Sequence, residues 1–259
     1  MADQRVLALI AACTAACLTV GASSVPSATL ALRLVPRERI TEHASVVDRV
    51  DWKLPAARLE AFRTQGMVIN EEVRTSVVLD GEIMRIDERG AHLDVRATST
   101  TYDVPRNQRT SSSWQTQTVV APNNTQPGAT RYALEESAMV DLPTTPVHVD
   151  SSWTTRLPVA TTLGSGTCTF RHVVGALNDG VVQINIDGSG VITGKEYNLP
   201  RLLPGTISLH GTAWFGLDCG CIIQESYRIV NTLEKPGEGA QIGFVERMDA
   251  DIDAQSRFP

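Results

Sequence analysis

Apolar and polar positions alternate with a period of two along most of the chain, and a helical period of about 3.6 residues is scarce. "TLALRLV" (Thr29 to Val35) sets leucines against small or polar residues. "MVINEEVRTSVVLDGEIMRIDERGAHLDVRAT" reads as three strands, with turns at Asp80-Gly81 and Arg89-Gly90, because glycine supplies the positive φ of a tight hairpin. "GTCTFRHVVGALNDGVVQINIDGSG" gives a strand, an Asp179-Gly180 turn, and a second strand ending at Asp187-Gly188. After each glycine turn the apolar residues alternate, Leu93, Val95 and Ala97 in one region and Val182, Ile184 and Ile186 in the other. That echo suggests a duplicated β unit. Only Pro55 to Gly66 has a helical pattern, opened by proline, carrying Leu59 and Phe62 three apart, and stopped by glycine. The expected fold is mainly β: antiparallel, curved sheets of about twelve strands, two related β halves and one short helix near 55–65.

The pattern breaks twice. Residues 1–22 read as a signal peptide: Arg5 and the start amine form a positive n-region, and Val6 to Ala22 runs uncharged to a small-residue cleavage site at Val20-Gly21-Ala22. That run falls short of the roughly 20 residues that span a bilayer, so no transmembrane span is expected in the mature chain. Ile10-Ala11-Ala12-Cys13 resembles a lipobox, so lipidation at Cys13, or at Cys17, is the alternative to simple secretion. The second break is 105–130, a polar tract with a Ser/Thr cluster that reads as a loop or linker. It separates an N-terminal β half at 29–104 from a C-terminal β half at 131–259.

Charge narrows the function classes. The formal charge is −6, there is no Lys/Arg cluster, and the lysines are only Lys53, Lys195 and Lys235. Nucleic acid and anionic membrane surfaces are therefore poor partners. There is no Gly-x-Ser-x-Gly elbow, no His-Glu-x-x-His and no phosphate-binding Gly-Lys-Ser/Thr loop. Histidines 43, 92, 148, 172 and 210 are scattered. Asp249, Asp251 and Asp253 alternate near the C-terminus, as a solvated acidic face does. No catalytic, cofactor or metal residue is assigned.

The cysteines are the remaining chemistry. Cys168, Cys219 and Cys221 survive signal removal, an odd number for an oxidising compartment. Leu217-Asp218-Cys219-Gly220 lies between two alternating runs, which puts Cys219 in a hairpin corner and Cys221 at the start of the return strand. A zinc set would recruit Cys219, Cys221, Cys168 and either His172 or His210. Cys168 and His172 lie four strand residues, about 13 Å, apart, so only one of them could join the pair, giving three ligands at best with His210. A structural bridge from Cys168 to Cys219 or Cys221 is the preferred reading; the alternative, Cys219 to Cys221, would close a small, redox-active ring.

"DLPTTPVHVDSSWTT" (Asp141 to Thr155) resembles the LPxxPVxVGDSW signature of a family of secreted, β-rich bacterial proteins. Leu142, Pro143, Pro146, Val147, Val149, Ser152 and Trp153 match, while Asp150-Ser151 replaces Gly-Asp. Gly211, Ala213, Phe215 and Gly220 sit where that family carries a later strand pattern. The family has no established activity, so the resemblance implies a β fold and export, not a reaction. Physically, Pro143 and Pro146 suit an edge or a loop, Val147 and Val149 share a face, and Trp153 is an apolar plug. The leading expectation is an exported, non-enzymatic envelope or extracellular protein that binds an apolar ligand, a lipid or an envelope protein. The rivals are a hydrolase with a loop-borne site and a purely structural surface module.

Overall fold

The computed structural model describes residues 26–121, 123, 131–132, 140–160, 164–195, 202–234 and 243–257. Residues 1–22, read above as a signal peptide, lie outside them, and Cys13 and Cys17 with them.

The chain is mainly antiparallel β, as its alternation requires. β1 (Arg39–Lys53), β2 (Asn70–Asp87), β3 (Gly90–Asp103) and β4 (Gln108–Val120) form one meander. β6 (Ser152–Ala160), β7 (Gly164–Asn178), β8 (Val181–Lys195), β9 (Leu202–Gly216), β10 (Cys221–Glu234) and β11 (Gly243–Arg257) form a second, and a two-residue β5 (Arg131–Tyr132) runs parallel to β6. The first strand pairs with the last, from Arg39↔Arg257 to Lys53↔Gly243. The result is one curved, open sheet in the order β4-β3-β2-β1-β11-β10-β9-β8-β7-β6-β5. The helix α1 (Ala56–Thr64) links β1 to β2, ends before Gly66 at φ 71°, and sets Phe62 edge-on to Trp52.

One face of β7 to β10 carries the core. Phe170, Val174, Ile184, Ile186, Leu209, Phe215, Ile229 and Leu233 are at most 1% exposed. Irregular segments cross this face and cover it, bringing Leu30 from one side and Val140, Leu142 and Val147 from the other. A two-way backbone bridge between Ala28 and Val147 ties the two segments together. The opposite face is polar, with Arg49 between Glu72 and Asp249 and Arg228 on Asp249. Such exposed pairs contribute little each. The first meander has a smaller cluster of Ile83, Ala91 and Leu93, packed with Leu34 and Ile40.

Several sequence expectations need correction. Thr29 to Val35 is not a strand: its alternation is real, but Leu30 is buried as part of a strap laid over the sheet. Asp80-Gly81 and Asp187-Gly188 are not turns, since β2 and β8 run straight through them. Gly188 instead makes room for a neighbour: a Cβ there would lie 2.7 Å from the ring of Phe170, its cross-strand partner. Gly211 does the same for Tyr227, with a Cβ 2.3 Å from that ring. Aromatic rings filling the gaps left by strand glycines are a known sheet device. By contrast, Asp179 (φ 48°) and Gly180 (φ 75°) do form the expected turn. The polar tract 105–130 is not all loop, because β4 occupies Gln108–Val120. The two halves are two meanders of a single sheet.

Gly188→Ala should overpack the Phe170 ring and destabilise the protein by about 1–3 kcal/mol. Urea unfolding checks this; a change below about 0.5 kcal/mol would mean that Phe170 has room to move.

Candidate functional site

The motif 142–153 is a clasp. Val147 is buried, but Val149 is 42% exposed, so the two valines do not share a face as expected. The reason is a turn at Val149-Asp150, where Asp150 takes φ 69°. The His148 amide donates to Ser151 Oγ at 2.9 Å, and the Ser151 amide donates back to the His148 carbonyl at 3.0 Å. Pro143 and Pro146 lie in the irregular segment that covers the core. Trp153 opens β6, donates its Nε1–H to the Asp141 carbonyl at 2.6 Å, and stacks on His172 with centroids 5.0 Å apart and rings 5° from parallel. His172 is fully buried, so the half-buried indole lies between core and covering segment.

At one end of the sheet three pieces meet. The β9–β10 corner, Leu217 to Gly220, touches the β7–β8 turn through the Leu217 amide and Gly180 carbonyl at 2.7 Å. The Arg33 amide of the strap donates to the Gly220 carbonyl, also at 2.7 Å. Gly220 has φ 59°, and a Cβ there would lie 2.5 Å from Arg33 Cβ. Within this corner Cys219 is bonded to Cys221, with Cα atoms 5.3 Å apart.

Cys168 is a fully buried thiol outside the bridge, so the structure pairs Cys219 with Cys221 and not Cys168 with the corner. Register keeps Cys168 apart. Cys168 pairs with Gly190, which pairs with Ile207 on β9. The corner begins nine residues further along β9, after Gly216, about 30 Å away. A bridge closing three residues stabilises by only about 1.6 kcal/mol in the chain-entropy treatment, against about 4 for a loop of fifty. This bridge is a weak brace for the whole fold.

The titratable groups on the polar surface are dispersed. His210 meets Asp187 at 2.7 Å in the open. His92 meets Asp87 at 2.7 Å. The Asp87 carboxyl is held below its ordinary value first by the Arg89 amide and then by His92 and Arg85. Asp249 is engaged by arginines, and among the described residues no three His, Cys, Asp or Glu side chains are grouped to hold a metal ion. Glu225 and Asn231 lie fully buried on the core face, on the same side of β10 as Tyr227, Ile229 and Leu233.

The outer edge of the sheet is the other distinctive surface. All of β4 from Gln108 to Gln117 is exposed, Trp114 included. Only β3 flanks it among the described residues.

No family model matches the chain, and no curated protein matches it. Among solved structures, the type II secretion system secretin GspD of E. coli K12 aligns at 8% identity over 100% of this chain and 55% of that one, with a TM-score of 0.20. The GspD secretin of an ETEC pilotin complex aligns at 11% identity over 99% of this chain and 54% of its own, also with a TM-score of 0.20. The β-barrel of the Salmonella injectisome secretin InvG aligns at 7% identity over 87% and 64%, with a TM-score of 0.18. The chain spans about half the length of the first two. TM-scores this low assign neither a fold family nor a function. Among the described residues, no helix is long and apolar enough to cross a membrane.

Trp153→Phe keeps most of the stacked area but removes the hydrogen bond to Asp141. It should lower stability by about 1–3 kcal/mol. A chemical-denaturation midpoint equal to wild type would show that the indole N–H contributes nothing.

Burial pushes the Cys168 thiol up from its ordinary 9.0 to about 11. The fold therefore holds the proton more tightly than the unfolded chain does. Stability from this group is complete below about pH 9 and is lost as pH rises toward 11. Comparing urea midpoints of wild type and Cys168→Ala across pH 8–11 should show the steeper fall in wild type. Parallel pH profiles would refute the assignment.

Proposed function

We propose that this chain is an exported, non-enzymatic protein of the cell envelope that binds a protein partner by strand addition along the outer edge of β4. One observation carries the reading. β4 is long, exposed on both faces from Gln108 to Gln117, and uncovered on its outer side among the described residues: from Thr110 to Val120 it holds no charge, proline or glycine, and its register with β3 is unbroken. Natural edge strands are usually guarded by lysines, prolines, bulges or covering elements, because their unpaired N–H and C=O groups template another strand. At the other end of the sheet β6, flanked by the two-residue β5 only at Val159 and Ala160, carries both Arg156 and Pro158. An unguarded edge suits recognition through main-chain hydrogen bonds. The export part rests on the sequence of residues 1–22. Protein binding is favoured over an apolar ligand because the apolar face of the sheet is occupied by Leu30, Val140, Leu142 and Val147. Dispersed histidine–carboxylate pairs weigh against the hydrolase.

The test uses a photo-crosslinking residue at Ser113 on β4, with Thr154 on β6 as control, in the native host envelope. A discrete adduct from Ser113 is expected, abolished by Ser112→Lys with Thr116→Lys while the melting temperature stays within about 2 °C. Adducts from Thr154 alone, or an adduct that ignores the lysines, would overturn the reading.

A further inference from the structure

We propose that the Cys219–Cys221 bridge is an exchangeable disulfide, open to reduction by a dithiol, and that its state sets how firmly the strap Ala28–Leu34 is held on the sheet. Three features lead there. The bridge closes the smallest loop among the bonds these cysteines can make, and both of its residues are only half-buried. Accessible bridges of this kind are the labile or regulatory ones, whereas structural bridges resist reduction. The third cysteine, Cys168, is buried in the core and pairs with neither.

The bridge also encloses the residue on which the strap depends. Among the described residues, the strap and the residues just beyond it are held by backbone hydrogen bonds at three places: Ala28 with Val147, Arg33 with the Gly220 carbonyl, and Arg37 and Glu38 with Ile83. The middle anchor, Gly220, is the single residue between the two bonded cysteines. Its positive φ and its close approach to Arg33 leave no space for a side chain. Gly216 likewise makes room for the bridge, since a Cβ there would lie 2.7 Å from Cys219 Sγ. Arg33 Nη1 also reaches the Asp218 carbonyl at 3.5 Å. Opening the ring frees the Gly220 backbone to leave its constrained conformation, and the Arg33 contact loosens with it. The strap carries Leu30, which is buried on the core face, so the device controls the cover of that face.

The chemistry is a two-electron exchange. A thiolate of the dithiol attacks one bridge sulfur, forming a mixed disulfide and breaking the Cys219–Cys221 bond. The displaced cysteine leaves as a thiolate and takes a proton. The second thiol of the reductant then displaces the other cysteine, so the protein ends with two thiols and the reductant leaves as its own disulfide.

Dithiothreitol titration of the folded protein, read by alkylation and mass mapping, provides the first arm. Cys219 and Cys221 should be labelled together while the far-ultraviolet spectrum is unchanged and Cys168 stays unlabelled. The second arm is hydrogen exchange of the strap amides, which should accelerate at least tenfold on reduction. Cys219→Ser with Cys221→Ser should exchange at the fast rate with and without reductant, and Cys168→Ser should keep the switch. A bridge that reduces only as the sheet unfolds would overturn the proposal. So would strap exchange that is equal in the oxidised, reduced and double-serine proteins.

Discussion

Everything else in this fold depends on the ladder between the first strand and the last. Each meander is local: its hairpins close after short connections and can form early. The β1–β11 pairing joins residues about 200 positions apart, as in Arg49↔Arg247. The loop-closure entropy of that contact grows only logarithmically with length, so the fold can tolerate it once many pairs form together. Fifteen consecutive residues of β1 are in register with β11, and Val46, Val50 and Ile252 add apolar cover on the core face. Without this seam, Glu72, Asp249 and Arg49 would not share a surface, and the first meander would have only its small cluster around Ile83.

The seam also explains why the core is uneven. The cover comes from two irregular segments that both lie over the second meander, where Leu30 meets Val140, Leu142 and Val147. Among the described residues, the small cluster of the first meander receives only Leu34 from outside its strands. Of β4 only Val120 packs against the small cluster, and from Gln108 to Gln117 the strand lies in water, where serine, threonine and glutamine fill most of it. The exposure of that edge follows from where the cover ends.

The strand character of the chain was legible because alternation is a direct consequence of side chains pointing to opposite faces. The helix at Ala56–Thr64 was legible from its proline and glycine. Turn chemistry misled where it was read from dipeptides alone. Asp179-Gly180 and Asp187-Gly188 are the same pair, yet one is a turn and the other a gap for Phe170. What separates them is a ring on the neighbouring strand, which no local window contains. β4 failed for a related reason: a strand with both faces in water has no apolar face to alternate. The cysteine pairing turned on register, since Cys168 is near the corner in composition but nine residues away along β9.

Glycine has two opposed uses in this protein, and the difference bears on function. In the sheet, Gly188 and Gly211 are extended and let Phe170 and Tyr227 seal the core, so they fix one packing. In the β9–β10 corner, Gly220 holds a positive φ beneath the strap and inside a one-residue bridge. The first kind is constrained by surrounding side chains and has little freedom to change. The second is constrained by the strap residue Arg33 and by a covalent bond between two half-buried cysteines. A conformational change in this molecule is therefore easier at the corner than anywhere in the core face. The strap that ends there connects the corner to both clusters, through Leu30 to one and Leu34 to the other.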